Sequence, residues 1–193
     1  MIKKFKQEMT DFFGAVYQGD PKSLVFGHGA MDAGVMLIGE APGEQEVLQG
    51  RPFVGKAGKN LDEFLQMSGF DREKLYITNV VKFRPVKLSE KGTASNRTPT
   101  REEVALFRPW LMREIALVRP HIVVTLGNTA LRALLGNKIS IGDVHGQLQR
   151  TEDGVLLFPL YHPASVIYNR ALQDTYIADV MRLGAWREED ERT

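Results

Sequence analysis

Four short apolar runs, residues 35–38, 76–81, 122–126 and 155–161, constrain this fold more than any other feature of the chain. The first, Val35-Met36-Leu37-Ile38, is closed by Gly34 and Gly39. Runs this short, with no polar alternation, suit strands buried on both faces. Between them the periodicity is helical. Ile2, Phe5, Met9, Phe12, Phe13 and Val16 mark an amphipathic helix within residues 1–20, stopped by Gly19-Asp20-Pro21. Leu61, Phe64, Leu65 and Met67 mark a second, ending at Gly69. Thr100-Arg101-Glu102-Glu103 reads as a capping box and opens a helix through Val104, Phe107, Leu111 and Ile115, with Pro109 a place for a kink. A short helix over 130–135 and a closing helix over 172–183 complete the pattern, while 84–100 reads as an exposed loop and 139–149 as a turn or ribbon.

Strands that alternate with helices predict an α/β fold, a three-layer αβα arrangement around a central, mainly parallel four-stranded sheet. The 193 residues predict one domain spanning 1–193, with a helix at 1–20 and a solvated charged tail at 187–193. Ligands of such sheets bind beyond the carboxyl ends of the strands. That rule singles out residues 39–58, 79–101, 127–128 and 162–170.

Composition removes several classes of function. With 43% hydrophobic and 25% charged residues the chain is expected to fold. A net charge of +1 leaves any anionic partner to a local patch. The absence of cysteine excludes disulfides, thiolate metal sites, iron–sulfur ligation and cysteine nucleophiles. Met1-Ile2-Lys3-Lys4-Phe5-Lys6 runs into Gln7, Glu8 and Asp11 rather than an apolar stretch, so a cytoplasmic protein is expected. No apolar run nears the roughly 20 residues of a membrane span.

Two motifs invite other chemistry. Gly50-Arg51-Pro52-Phe53-Val54-Gly55-Lys56 fits a phosphate loop, but Ala57 replaces the hydroxyl that binds magnesium, and no strand feeds the loop directly. Asp143-Val144-His145 has the spacing of a metal corner, but the remaining ligand segments are missing. No metal site is expected.

Gly39-Glu40-Ala41-Pro42-Gly43-Glu44-Gln45-Glu46 and then Gly50-Arg51-Pro52-Phe53-Val54-Gly55-Lys56-Ala57-Gly58 follow the first strand. Ile77-Thr78-Asn79-Val80-Val81-Lys82 with Arg84-Pro85, and Tyr161-His162-Pro163-Ala164-Ser165, follow the second and fourth. In order and spacing these resemble the uracil-DNA glycosylase superfamily, most closely its thermostable family 4, from about residue 24 to about residue 180. The resemblance implies a monofunctional DNA glycosylase. It would hydrolyse the N-glycosidic bond of uracil, or a related deaminated base, flipped out of DNA, and leave an abasic site. The expected partner is DNA, the expected state a monomer.

Breaking that bond puts negative charge on the departing base and positive charge on the sugar, and both need stabilising. Phe53 suits stacking on an extruded pyrimidine, and the Asn79 amide suits its edge. His162 suits donation to the base carbonyl, and Glu40 or Glu46 suits orienting water. By resemblance Glu40, Phe53, Asn79 and His162 fall on binding or catalytic positions, Glu46 on an acidic position of the loop, and Gly39 and Ala41 beside the base. Each has a plainer reading: Phe53 as core, Asn79 as a turn residue, His162 as a cap, Glu46 as a surface charge.

DNA contacts are expected from residues 82–101, where Lys82, Arg84, Lys87, Lys91, Arg97 and Arg101 face only Glu90, and from Ser165 and Arg170. Val166, Ile167 and Tyr168 are placed to act as an apolar wedge.

Family 4 proteins are usually built around a four-cysteine iron–sulfur cluster, so no such cofactor is expected here. Phe83 and Phe107 stand where two of those cysteines would lie, and the N-terminal pair falls near Phe12 and Ala15. These aromatics are expected to pack together and fill the volume. Val47 replaces a second acidic residue of the loop, which bears on catalytic strength and lesion preference. Two other readings stand beside the glycosylase: a nucleic-acid-binding protein that has kept the fold but lost the reaction, and a nucleotide hydrolase of the phosphate-loop kind.

Overall fold

The apolar stripe of the first residues becomes helix α1 (Ile2–Val16), which buries Phe5, Met9 and Phe13. In this computed structural model, which describes residues 1–20 and 22–190 without the side chains of 167, 168, 170 and 188–190, the chain then alternates as expected. It passes through β1 (His28–Gly29), β2 (Val35–Gly39), α2 (Glu44–Gln49) and α3 (Lys56–Met67). A single 3-10 turn, Arg72–Lys74, leads to β3 (Tyr76–Asn79), the hairpin β4 (Val86–Leu88) and β5 (Ala94–Asn96), and α4 (Arg101–Val118). Next come β6 (Ile122–Leu126), α5 (Asn128–Leu135), α6 (Ile141–Val144), β7 (Gln149–Arg150) and β8 (Leu156–Leu160). Helix α7 (Pro163–Tyr168), the turn Arg170–Leu172 and α8 (Gln173–Asp190) close it.

The main sheet has the order β1-β3-β2-β6-β8-β7. Its centre is the expected set of four parallel strands, β3, β2, β6 and β8. Two antiparallel edge strands, β1 and β7, make the sheet six-stranded and correct the expected count. Each is two residues long, too short for a side-chain period to show. Alternate residues of each strand face opposite layers. Met36, Ile38 and Val123 pack with α1, α4 and α5. Leu37, Ile77, Val124 and Leu126 pack with α3, α7 and α8. The three-layer architecture follows from this two-sided burial.

Other boundaries differ from expectation. The loop at 84–100 contains the hairpin, paired Val86 to Asn96 through Leu88 to Ala94. Residues 139–149 include one turn of helix. Pro109 lies inside α4, which continues to Val118. The tail is not free at its start: α8 runs to Asp190, Arg187 donates to Gly69 O at 2.7 Å, and its guanidinium lies 4.7 Å from the Phe70 ring centre. Residues 191–193 lie outside the described residues. Among the described residues no helix is long and apolar enough to cross a membrane.

The corner between α1, α4 and the segment after β3 is built from rings. Phe13 stacks on Phe107 with centroids 3.9 Å apart and planes 7° apart, and Phe83 lies 5.8 Å from Phe107. Tyr17 meets the edge of Phe83 at 5.5 Å. Phe83 and Phe107 therefore do pack together, buried, as expected. On the α1 side the expected register is one residue off: Phe13 enters the corner, while Phe12 is 40% exposed and Ala15 faces solvent. One residue along a helix is about 100° of rotation, so this choice decides which ring is inside. A cysteine-ligated cluster does not fit here, since the chain has no thiolate and aromatic rings fill the space.

Cutting Phe107 to Ala removes the ring at the centre of this stack. Urea denaturation is expected to show a loss of about 3–5 kcal/mol. Phe12→Ala, at the exposed rim, is expected to cost clearly less.

Candidate active site

Parallel pairing brings the first two motifs together. Gly39 and Asn79 are register partners at the ends of β2 and β3. The ladder runs on past them: Val80 N–H donates to Gly39 O at 2.9 Å and Val81 N–H to Glu40 O at 3.1 Å. Gly39 is required by what surrounds it. A Cβ there would lie 2.4 Å from Asn79 Oδ1 and 2.5 Å from Phe53 Cζ. The carboxamide and the ring occupy the space that the missing side chain leaves.

The third motif arrives from β8. His162 caps α7, its Nδ1 accepting from Ala164 N–H at 3.2 Å, and its ring centre lies 6.0 Å from that of Phe53. Gly127, at the end of β6 with φ +87°, makes room, because a Cβ there would lie 3.1 Å from His162 Cβ. Burial pushes the imidazole down to about 4. It is therefore neutral near pH 7, and with Nδ1 accepting, its hydrogen sits on Nε2. His162 thus both caps α7 and lines the cavity at the strand ends.

A cavity of about 330 Å³ is lined by Ala41, Glu46, Phe53, Asn79 and His162, a volume within the range of small-molecule sites. A second, of about 430 Å³, shares Ala41 and His162 with it and adds Glu40, Gly127 and Ser165. Asn79 and Phe53 are both nearly fully buried, and Glu40 and His162 half-buried.

The two candidate carboxylates have different surroundings. Both Glu46 oxygens are occupied by backbone donors: Oε2 accepts from Gly43 N–H at 3.0 Å, and Oε1 from Val54 N–H at 3.0 Å and Gly55 N–H at 2.7 Å. Glu46 is the third residue of α2 and reaches back to its cap in the manner of a capping box. These bonds also take up amides that a phosphate loop would offer to phosphate. Glu40 receives a side-chain hydrogen bond from Thr129 Oγ1 at the start of α5. Burial raises the Glu40 pKa and the Thr129 hydroxyl partly opposes it. Thr129 had no role in the sequence reading; its only signal was its place just after a strand end.

Phe53 adopts φ +54°, the left-handed region that costs a residue bearing Cβ about 1–2 kcal/mol. Such strain persists only where the surroundings hold it.

The basic segment separates by burial. Lys82 was expected to contact phosphate; it is instead 0% exposed and pairs with Glu114 Oε2 at 2.6 Å. A buried, fully bonded ammonium cannot meet a phosphate, so that expectation is corrected. Arg84 donates to Glu44 Oε1 and Asn96 Oδ1 at 3.0 and 2.7 Å, beside the cavity, and Arg97 pairs with Glu103. Lys87, Lys91, Arg101 and Ser165 are exposed. Val166 is 5% exposed and belongs to the core, which removes it from the expected wedge. Arg170 opens its turn, but its side chain and those of Ile167 and Tyr168 lie outside the described residues. His145, half of the metal-like corner, pairs through Nδ1 with Asp179 Oδ2 at 2.7 Å. Among the described residues no group of three or more His, Asp or Glu is placed to hold a metal.

Fold and cavity together define a three-layer α/β protein with a cavity at the carboxyl ends of its parallel strands. Residues 26–183 match the model of the uracil DNA glycosylase superfamily. A Type-4 uracil-DNA glycosylase of Thermotoga maritima is 41% identical over 150 residues, covering 77% of this chain and 74% of that protein. One from Saccharolobus solfataricus is 38% identical over 170 residues, covering 84% and 75%. The crystal structure of wild-type Pedobacter heparinus SMUG2 shares the fold at a TM-score of 0.56 and 15% identity, covering 95% of this chain and 85% of that one. The chain belongs to the uracil-DNA glycosylase superfamily, and within it resembles the Type-4 proteins without any of their expected cluster cysteines.

Gly39→Ala is expected to displace either Asn79 or Phe53 and to lower turnover at least about tenfold while circular dichroism stays native. His162 is expected to titrate near 4 by NMR, against 6.5 for an unperturbed histidine. Between those values the unfolded chain binds the additional proton. The contribution of His162 to stability is therefore complete above about 6.5 and falls as pH drops toward 4.

Proposed function

We propose that this protein removes uracil from DNA by hydrolysing the bond between the base and deoxyribose C1′, leaving an abasic site. Superfamily membership makes the chain a DNA glycosylase. The observation that carries the finer reading is the convergence of Phe53, Asn79 and His162 on one cavity beside Glu40. A base turned out of the helix stacks on the Phe53 ring. The Asn79 carboxamide pairs with its polar edge, where uracil and cytosine differ in donors and acceptors.

As the C1′–N1 bond breaks, its electron pair moves onto the base and charge gathers on the adjacent carbonyl oxygen. The neutral His162 donates its Nε2 hydrogen to that oxygen, a dipole already in place before the charge develops. Glu40 lies nearer the sugar, where its carboxylate offsets positive charge and orients the water that attacks C1′. The water-orienting role goes to Glu40 rather than Glu46, because Glu46 has both oxygens committed to backbone amides. Glu46 instead fixes the loop that carries Phe53. Lys87, Lys91 and Arg101, with Ser165 and Arg170, are the residues proposed for the phosphates.

The test is incubation with an oligonucleotide bearing one uracil, followed by alkali cleavage at abasic sites. Excision is expected for the wild type. His162→Ala is expected to lose about 10²–10³ in kcat, the magnitude typical of one hydrogen-bond donor to developing charge. Glu40→Gln is expected to lose activity while keeping affinity for the oligonucleotide. Binding without excision by the wild type would leave a nucleic-acid-binding protein in place of an enzyme.

A further inference from the structure

Phe53 stands in a conformation that its own Cβ disfavours, and one of the residues that hold it there, Arg72, comes from outside the recognised motifs. Arg72, in the turn between α3 and β3, donates through Nη2 to Pro52 O at 3.1 Å and Phe53 O at 2.9 Å. Its Nη1 donates to Asp62 Oδ1 on α3 at 2.5 Å. The planar fork of arginine can serve a carboxylate and two carbonyls at once, which the ammonium of lysine does less well. On the other side of the same peptide, Val54 and Gly55 give their N–H groups to Glu46. Gly58 of α3 completes the clamp, because a Cβ there would lie 2.0 Å from Phe53 O. The backbone on both sides of the ring is thus fixed while the ring faces the cavity.

We propose that Arg72 is a positioning residue for base recognition: it holds Phe53 in its left-handed conformation, so that the ring forms the wall on which the extruded base stacks. The proposal rests on the reading of the cavity as a uracil site. Arg72 touches neither base nor sugar. Its effect passes through two carbonyl oxygens.

The experiment compares wild type, Arg72→Gln, Arg72→Lys and Asp62→Asn in two ways. Hydrogen exchange at the Val54 and Gly55 amides reports the loop independently of catalysis, and kinetics on a uracil oligonucleotide report KM and kcat at two salt concentrations. Arg72→Gln is expected to accelerate exchange at those amides and to raise KM about tenfold, the scale of a lost base–aromatic stack. The salt dependence of KM is expected to stay as in the wild type, since no phosphate contact is lost. Arg72→Lys keeps the charge without the fork and is expected to recover only part of both losses. Asp62→Asn, which leaves the carbonyl bonds in place, is expected to fold and to show the same changes more weakly.

Unchanged exchange, or faster exchange with an unchanged KM, overturns the proposal. So does full recovery by lysine, or a salt dependence that falls when Arg72 is lost. A shortage of folded protein lowers apparent kcat without moving KM, so a kcat loss alone also counts against it. A wild type that does not excise uracil while its loop amides stay protected overturns the functional reading itself, and the positioning role with it.

Discussion

A buried ion pair ties the end of the sheet that carries Asn79 to the helix behind it. The three hydrogens of the Lys82 ammonium go to Glu114 Oε2, Thr78 Oγ1 and Asn79 O, each at 2.6 Å. Glu114 also accepts from Tyr76 OH at 2.9 Å. Gly27 leaves the room that this needs, because a Cβ there would lie 2.5 Å from Glu114 Oε1. Every donor of the lysine is satisfied, so the pair tolerates its complete burial; either partner alone would be an uncompensated charge. Since Glu114 belongs to α4, the carboxamide at the site and the aromatic corner are anchored to one helix.

The acidic residues near the site show how environment divides one chemical group among several tasks. Glu114 is locked to a lysine, Glu46 is held by three amides, and a threonine holds one oxygen of Glu40 while its other oxygen has no hydrogen-bond partner among the described residues. Only the last is suited to meeting a water or a sugar. In the proposed reaction the neutral imidazole fits the same division: a cation near Glu40 would be drawn to it, whereas a fixed dipole is in place for the charge that would form on the base. The twisted backbone at Phe53 is tolerated because neighbouring groups over-determine it.

Much of this was legible in the sequence. The four parallel strands and helices α1, α3, α4, α5 and α8 followed from period and punctuation, whereas the short helices α2 and α7 did not, and the strand-end rule pointed to segments that do meet at the cavity. Asn79, Phe53 and His162, singled out by their motifs and their places at strand ends, do line one cavity. What stayed hidden depends on the third dimension. The edge strands and the hairpin make pairings too short or too polar to mark the local pattern. Lys82 looked like a surface charge because its partner Glu114 lies 32 positions away. Glu46 sits three residues after Gly43, the spacing of a helix cap, and that spacing was the available hint that its carboxylate serves the backbone. Phe12 and Phe13 are equally apolar in sequence, and only the angle at which α1 docks selects between them.

The ring stack between α1 and α4 also alters how the molecule comes into being. A corner organised around inorganic sulfide stays unfinished until a delivery machinery supplies it, and it can be dismantled again by oxidants or chelators. Here the corner is filled by the rings of the polypeptide itself. This corner holds no thiolate that could wait for iron, and its packing is complete without it.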